Sequence, residues 1–139
     1  MTVFQALDDY LGQEYSPDYW SDEAILHAFA LVRAMAPIDW EHLKAAWQVR
    51  PKAWQYRCAE ALAQADPQQA IPLLLDMLHT PDSELTVTAA DVLRTLHVGQ
   101  LHTQVTPQVA ERLHTLARNH PGPIAQTISA LLECLRVTV

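Results

Sequence analysis

The chain has 139 residues, of which 50% are hydrophobic and 18% charged. A chain of this length favours one domain, and this apolar content excludes disorder. Nine Lys and Arg stand against 16 Asp and Glu, a net charge of −7, which is the wrong sign for a groove that tracks nucleic-acid phosphates. The chain has only 3 glycines, too few for Gly-rich phosphate loops or a turn-dense sandwich, and no apolar run reaches the roughly 18 residues of a membrane span.

The apolar periodicity is helical from end to end and predicts eight helices and no strands. The first covers Thr2 to Glu14, with Phe4, Leu7 and Leu11 on one face. Ser16-Pro17-Asp18 reads as a break. The second helix then starts at a Ser21 cap, with Asp22 and Glu23 in the turn where the dipole favours carboxylates. Its body, Ala24 to Ala36, is apolar on nearly every face, which predicts a central helix, and Pro37 stops it. A third helix covers Asp39 to Val49. Pro51 opens a fourth, reaching Ala65. Asp66-Pro67-Gln68-Gln69 combines a cap, a first-turn proline and a capping-box partner, and opens a fifth helix ending at His79. Thr80-Pro81-Asp82-Ser83-Glu84 opens a sixth, to Leu96. A seventh covers Thr106 to Asn119. Pro121-Gly122-Pro123 separates it from an eighth, ending near Val137. The expected core includes Ile25, Phe29, Val32, Leu62, Leu74, Leu78, Leu93 and Leu132.

A shift of 31 places Leu43-Lys44-Ala45-Ala46-Trp47 over Leu74-Leu75-Asp76-Met77-Leu78, and Cys58-Ala59-Glu60-Ala61-Leu62 over Ala89-Ala90-Asp91-Val92-Leu93. The last two helices follow at a shift of about 39, Ile124 over Leu85, with the loop from His97 to Val105 as the extra length. Helix pairs repeating at such intervals bury their apolar faces by stacking on one another. The sequence here resembles the HEAT-repeat family. Ala70-Ile71-Pro72-Leu73-Leu74-Leu75-Asp76-Met77-Leu78 is similar to the first helix of such a repeat, including the internal proline. Thr80-Pro81-Asp82-Ser83 is similar to its turn, and Leu85 through Ala89-Ala90 to Val92-Leu93 to its second helix. The family's Asp–Arg ladder is replaced by Thr80 and Thr86, and by Arg50 and Gln55 one repeat earlier. The resemblance implies an all-α, right-handed, solenoid-like stack of about four antiparallel helix pairs, irregular at the N-terminus, within a single domain, 1–139. An unrelated up-down bundle is the structural alternative.

Charge and aromatics are unevenly placed. Residues 1–41 hold eight acids and one base, whereas residues 42–139 hold eight of each. All the Phe, Trp and Tyr residues lie between Phe4 and Tyr56. Acids steer basic partners, and Tyr and Trp supply rigid anchors. Asp8, Asp9, Glu14, Tyr15, Asp18, Tyr19 and Trp20 therefore form the candidate partner-binding set. The set depends on exposure, because a turn has few neighbours to cover three rings. Phe4, Phe29, Trp47, Trp54 and Tyr56 read as core, and the acids at helix starts also serve the dipole.

No chemistry of another kind is legible. The histidines His27, His42, His79, His97, His102, His114 and His120 have no metal-ligand spacing. No serine sits in a nucleophile elbow. Asp8-Asp9 and Asp22-Glu23 are sequence neighbours whose side chains diverge. Cys58 and Cys134 read as buried thiols. No catalytic residue, cofactor or metal is expected, and no nucleic-acid or membrane partner. The start, Met1-Thr2-Val3-Phe4-Gln5, carries no basic region or long apolar stretch, so no signal peptide is expected and a cytoplasmic location is. The expected function is binding of a basic protein. Its sharpest form is a bacterial immunity protein that neutralises a basic toxin, such as a nuclease. That likeness rests on size, charge and helix content. A HEAT-like scaffold or regulatory adaptor is the alternative, and a HEAT-like lyase a more remote one.

Overall fold

A computed structural model describes residues 1–96, 107–119 and 122–137. The described residues are helical, without strands. The chain divides into two compact units, Met1–Gln69 and Ala70–Val139.

The first unit begins with α1 (Val3–Leu11), started by a reciprocal cap. Gln5 N–H donates to Thr2 Oγ1 at 3.1 Å, and Thr2 N–H donates to Gln5 Oε1 at 2.9 Å. The predicted face is correct: Phe4, Leu7 and Leu11 are buried. The helix stops at Leu11, short of Glu14, with Gly12 at its end.

The next segment corrects the sequence reading. Ser16 is a cap, not part of a break: its Oγ accepts from Tyr19 N–H at 3.2 Å, and Pro17 takes the first helical position, where its missing N–H costs nothing. A short α2 (Pro17–Tyr19) runs through a π turn (Trp20–Ala24) directly into α3 (Ile25–Arg33). Ser21 therefore lies inside a continuous helical run. The buried stripe of this run is Trp20, Ala24, Ala28 and Val32. Ile25 and Phe29, expected in the core, are half-buried, and Leu26 is exposed. Small residues let α3 approach α1 and α5 closely, and this places the bulkier side chains at the margins of the contact.

The preceding helix stops at Arg33, with Ala34 as its cap, short of the expected end at Ala36, so Pro37 does not stop it but opens α4 (Pro37–Ala46), which tightens into a 3₁₀ turn at Trp47–Val49. Asp39 is buried and carries out two tasks. Its Oδ2 accepts from Ala36 N–H at 2.8 Å, capping α4, and its Oδ1 accepts from Phe4 N–H at 3.1 Å, tying α4 to the start of α1. After α5 (Lys52–Ala61), a second 3₁₀ turn spans Leu62–Gln64.

The second unit is aliphatic. Its first helix, α6 (Pro67–Met77), starts in the last residues of the first unit, where Pro67 takes the opening turn and the Asp66 carboxylate accepts from Gln68 N–H at 3.2 Å. Pro72 sits inside this helix and leaves the Gln68 carbonyl without its usual donor. Asp82 caps α7 (Ser83–Thr95). Then come α8 (Pro107–Asn119) and α9 (Pro123–Val137), and α9 packs against both α7 and α8. Gly122, at φ 95°, turns the chain into α9 in a conformation that disfavours a side chain. Leu74, Leu78 and Leu93 are buried as expected, and so is Leu62 in the first unit, while Leu132 is half-buried.

The helix starts repeat. Lys52 of α5 and Ser83 of α7 are 31 apart, and Pro67 and Pro107, like Ser83 and Pro123, are 40 apart. The two residues at the altered ladder positions also behave alike. Gln55 Nε2 donates to Trp47 O at 2.9 Å, and Thr86 Oγ1 donates to Asp82 O at 3.1 Å and Thr80 O at 3.5 Å. Each ties the start of a helix to the turn before it. The His97–Val105 loop lies outside the described residues.

Candidate functional site

Eight acids precede residue 42, and the fold uses two of them internally. Asp39 is the buried cap. Asp8, one of the candidate partner-binding residues, is held by Arg50: Nε and NH2 donate to its two oxygens, both at 2.8 Å. This bidentate pair fixes both side chains, so Asp8 does not offer a free carboxylate. Asp9, Glu14, Asp18, Asp22, Glu23 and Glu41 remain exposed. Among the described residues, Asp9, Glu14, Asp18, Asp22 and Glu23 form no ion pair.

The aromatic candidates separate by depth. Tyr19 is 53% exposed, Tyr15 is half-buried and Trp20 is 5% exposed. The expectation that all three rings face solvent therefore fails at Trp20, because the π turn directs that indole inward. The rings still form one cluster. Tyr15 stacks on Tyr19 at 6.0 Å between centroids and lies 5.9 Å from Trp20 and 5.5 Å from Tyr10. Tyr10 meets His27 edge-on at 4.6 Å. Two phenols are anchored to backbone: Tyr10 donates to Ala24 O and Tyr15 to Tyr10 O, each at 2.9 Å. Burial, with Tyr10 adding to it, pushes the Tyr15 phenol up to about 12, so it stays neutral and keeps its donor through physiological pH.

Arg57 of α5 lies over the Tyr15 ring at 5.0 Å and over Trp20 at 5.7 Å. Its NH1 donates to Leu11 O at 3.0 Å and to Gln13 O at 2.6 Å, closing the end of α1. Trp54 makes a parallel tie, donating from Nε1 to Asp8 O at 3.1 Å, with Arg50 over its ring at 5.7 Å. The Trp20 indole N–H, by contrast, is buried without a hydrogen-bond acceptor at good geometry. It does act on Glu60 at longer range. Burial raises the Glu60 carboxyl above its ordinary value, and Trp20 and Arg57 pull it partly back.

A groove of about 410 Å³ opens beside this cluster, between the Leu11–Tyr15 segment and Pro51, Ala53, Trp54 and Arg57. Its walls are Tyr15 and Trp54 with aliphatic surface, and Glu14 is its acid.

Cys58 is fully buried, and burial pushes its thiol up to about 12, which leaves no thiolate for chemistry at neutral pH. The side chain of Cys134 lies outside the described residues. No three His, Cys, Asp or Glu side chains gather into a metal-binding group among the described residues, and no described helix is long and apolar enough to cross a membrane.

The sequence reading did not place Arg50, Trp54 and Arg57 at the site. They reach it across separations of 42 to 46 residues, and nothing local in the sequence signals such pairing. No family model, no curated protein and no solved structure matches this chain.

Proposed function

We propose that the chain is a protein-binding module whose Met1–Gln69 unit docks a basic protein. The observation that carries this reading is the row of exposed, unpaired acids, Asp9, Glu14, Asp18, Asp22 and Glu23, flanking the exposed Tyr19. A protein gains little stability from leaving five like charges without cations, whereas a basic partner gains both steering and a desolvated contact from them. The contact residues are Asp9, Glu14, Tyr15, Asp18 and Tyr19. Asp8 and Trp20 support them from behind, as an ion pair and as packing.

The sharpest form of this reading is a bacterial, cytoplasmic immunity protein that covers the active site of a basic toxin such as a nuclease. A HEAT-like scaffold or adaptor is the second reading. It is favoured by the recurrence of helix starts at 31 and 40 residues, which suits a solenoid-like stack of helix pairs.

The experiment is capture of the partner from the native host, followed by association kinetics at several salt concentrations. The double variant Asp9→Lys, Asp18→Lys should slow association about tenfold and flatten its salt dependence. Tyr19→Ala should chiefly speed dissociation. A captured protein that is acidic, or that binds both variants like the parent, rejects this reading. A basic nuclease whose activity is blocked in the complex selects immunity over scaffolding.

A further inference from the structure

We propose that the groove between the Leu11–Tyr15 segment and Pro51–Arg57 binds a small-molecule carboxylate with an apolar body, its carboxylate seated on Arg57. This goes beyond protein docking and does not depend on it.

Arg57 is half-buried, yet it forms no ion pair among the described residues. Its two hydrogen bonds both leave from NH1 and both end on neutral carbonyls, of Leu11 and Gln13. Its Nε and NH2 donate to no described residue. Glu60 is near enough to feel the cation but does not pair with it. Elsewhere in the same unit the fold gives a comparable arginine a full partner, as Arg50 has in Asp8. The Arg57 cation lies over Tyr15 and Trp20 and is tied through NH1, which leaves the Nε and NH2 edge as a fork for a planar anion.

The rest of the groove sets the ligand's body and size. Leu11, Pro51, Ala53, Trp54 and the Tyr15 ring give it apolar and aromatic walls. Its volume, about 410 Å³, falls in the range of small-molecule sites. The charge of the ligand follows from the surroundings. Met1–Gln69 carries ten acids against five bases, a field that penalises a dianion such as phosphate twice as heavily as a carboxylate. Glu14, exposed on the groove, opposes even the monoanion, though water screens it.

Phenylacetate is the probe, phenylacetamide its neutral isostere, and the indole N–H resonances of the full chain are the readout. Phenylacetate should shift the Trp54 resonance saturably, and phenylacetamide should bind about tenfold more weakly, because it lacks the charge-assisted bonds to Arg57. Ala53→Phe fills the groove from an exposed position one helical turn from Arg57, and should abolish the shift while leaving the chain folded. Glu14→Gln should tighten phenylacetate binding and leave phenylacetamide unaffected, and this holds as a test even where Ala53→Phe fails to fold. The proposal is overturned by the absence of a saturable shift, by equal affinity for acid and amide, or by undiminished binding to folded Ala53→Phe. None of these measurements involves a protein partner, so their failure leaves the docking reading standing.

Discussion

Met1–Gln69 contains every Phe, Tyr and Trp of the chain, and Ala70–Val139 contains none. Ties differ in the same way. In the first unit, side chains reach the backbone or each other across 35 to 46 residues: Asp39 to Phe4, Arg50 to Asp8, Trp54 to Asp8 and Arg57 to Leu11. In the second, the side-chain ties include short ones, Thr86 to Thr80 and Arg94 to Asp91, and leucine and alanine predominate in the core. Aliphatic packing is non-directional and holds elements together without fixing them finely. Long-range polar ties fix positions, and a recognition surface needs fixed positions. The first unit therefore carries long-range polar ties beside its rings, and the second a core of leucine and alanine.

The strongest way to break this contrast is Trp20→Ala. A buried indole that joins Tyr15 and Arg57 should cost about 3–5 kcal/mol on removal, read by urea unfolding. A loss under about 1 kcal/mol would return Trp20 to the surface and dissolve the cluster. Leu93→Ala probes the aliphatic unit. It should cost about 3 kcal/mol, within the range for fully buried leucines, and a negligible loss would mean that the inner face of α7 is misplaced.

Asp39→Ala sharpens the argument about long-range ties. It strips the acceptor from two backbone N–H groups, Phe4 and Ala36, and should cost about 2 kcal/mol. Amide exchange at those two positions should accelerate more than at Leu7. Uniform acceleration would make Asp39 a general stabiliser and not a clamp between α1 and α4.

Glu60→Gln gives the smallest effect, and its sign depends on pH. Burial raises the Glu60 carboxyl in the folded state, so folding favours its protonated form. The resulting stability is full below the ordinary glutamate pKa, about 4.3, and is lost as pH rises through the higher folded value. At pH 7 the charge is a burden, and Glu60→Gln should raise the melting temperature slightly. Near pH 4 the gain should vanish. An equal gain at both values would place the effect in packing, outside titration.

The helices were legible wherever a cap and a proline stood together. Asp66-Pro67 and Asp82 after Thr80-Pro81 mark the true starts of α6 and α7. Ser16-Pro17 is the same signal, and it too starts a helix. Reading it as a break concealed the π turn, and with it the inward turn of Trp20. The exposed acids were legible too, because charge at that density has nowhere to go but the surface. The loss of Asp8 to Arg50 was not, since a pair 42 residues apart depends on how helices meet. The same limit hid the groove, whose two walls come from segments about 40 residues apart.

The π turn at Trp20–Ala24 also sets a phase. Along an α-helix, every fourth residue drifts by about 40°, because each residue advances by about 100°. A stripe of Trp20, Ala24, Ala28 and Val32 would therefore wind off its face within three steps. The wider turn takes back part of that drift at the N-terminal end, and so keeps the largest side chain of the stripe in line with the three small ones. The chain in this segment is thus sensitive to length more than to identity. Losing one residue between Trp20 and Ala24 would rotate everything before it by about 100°. Trp20 would leave the interior, and Asp18 and Tyr19 would face in a new direction, although every side chain of the surface was still present.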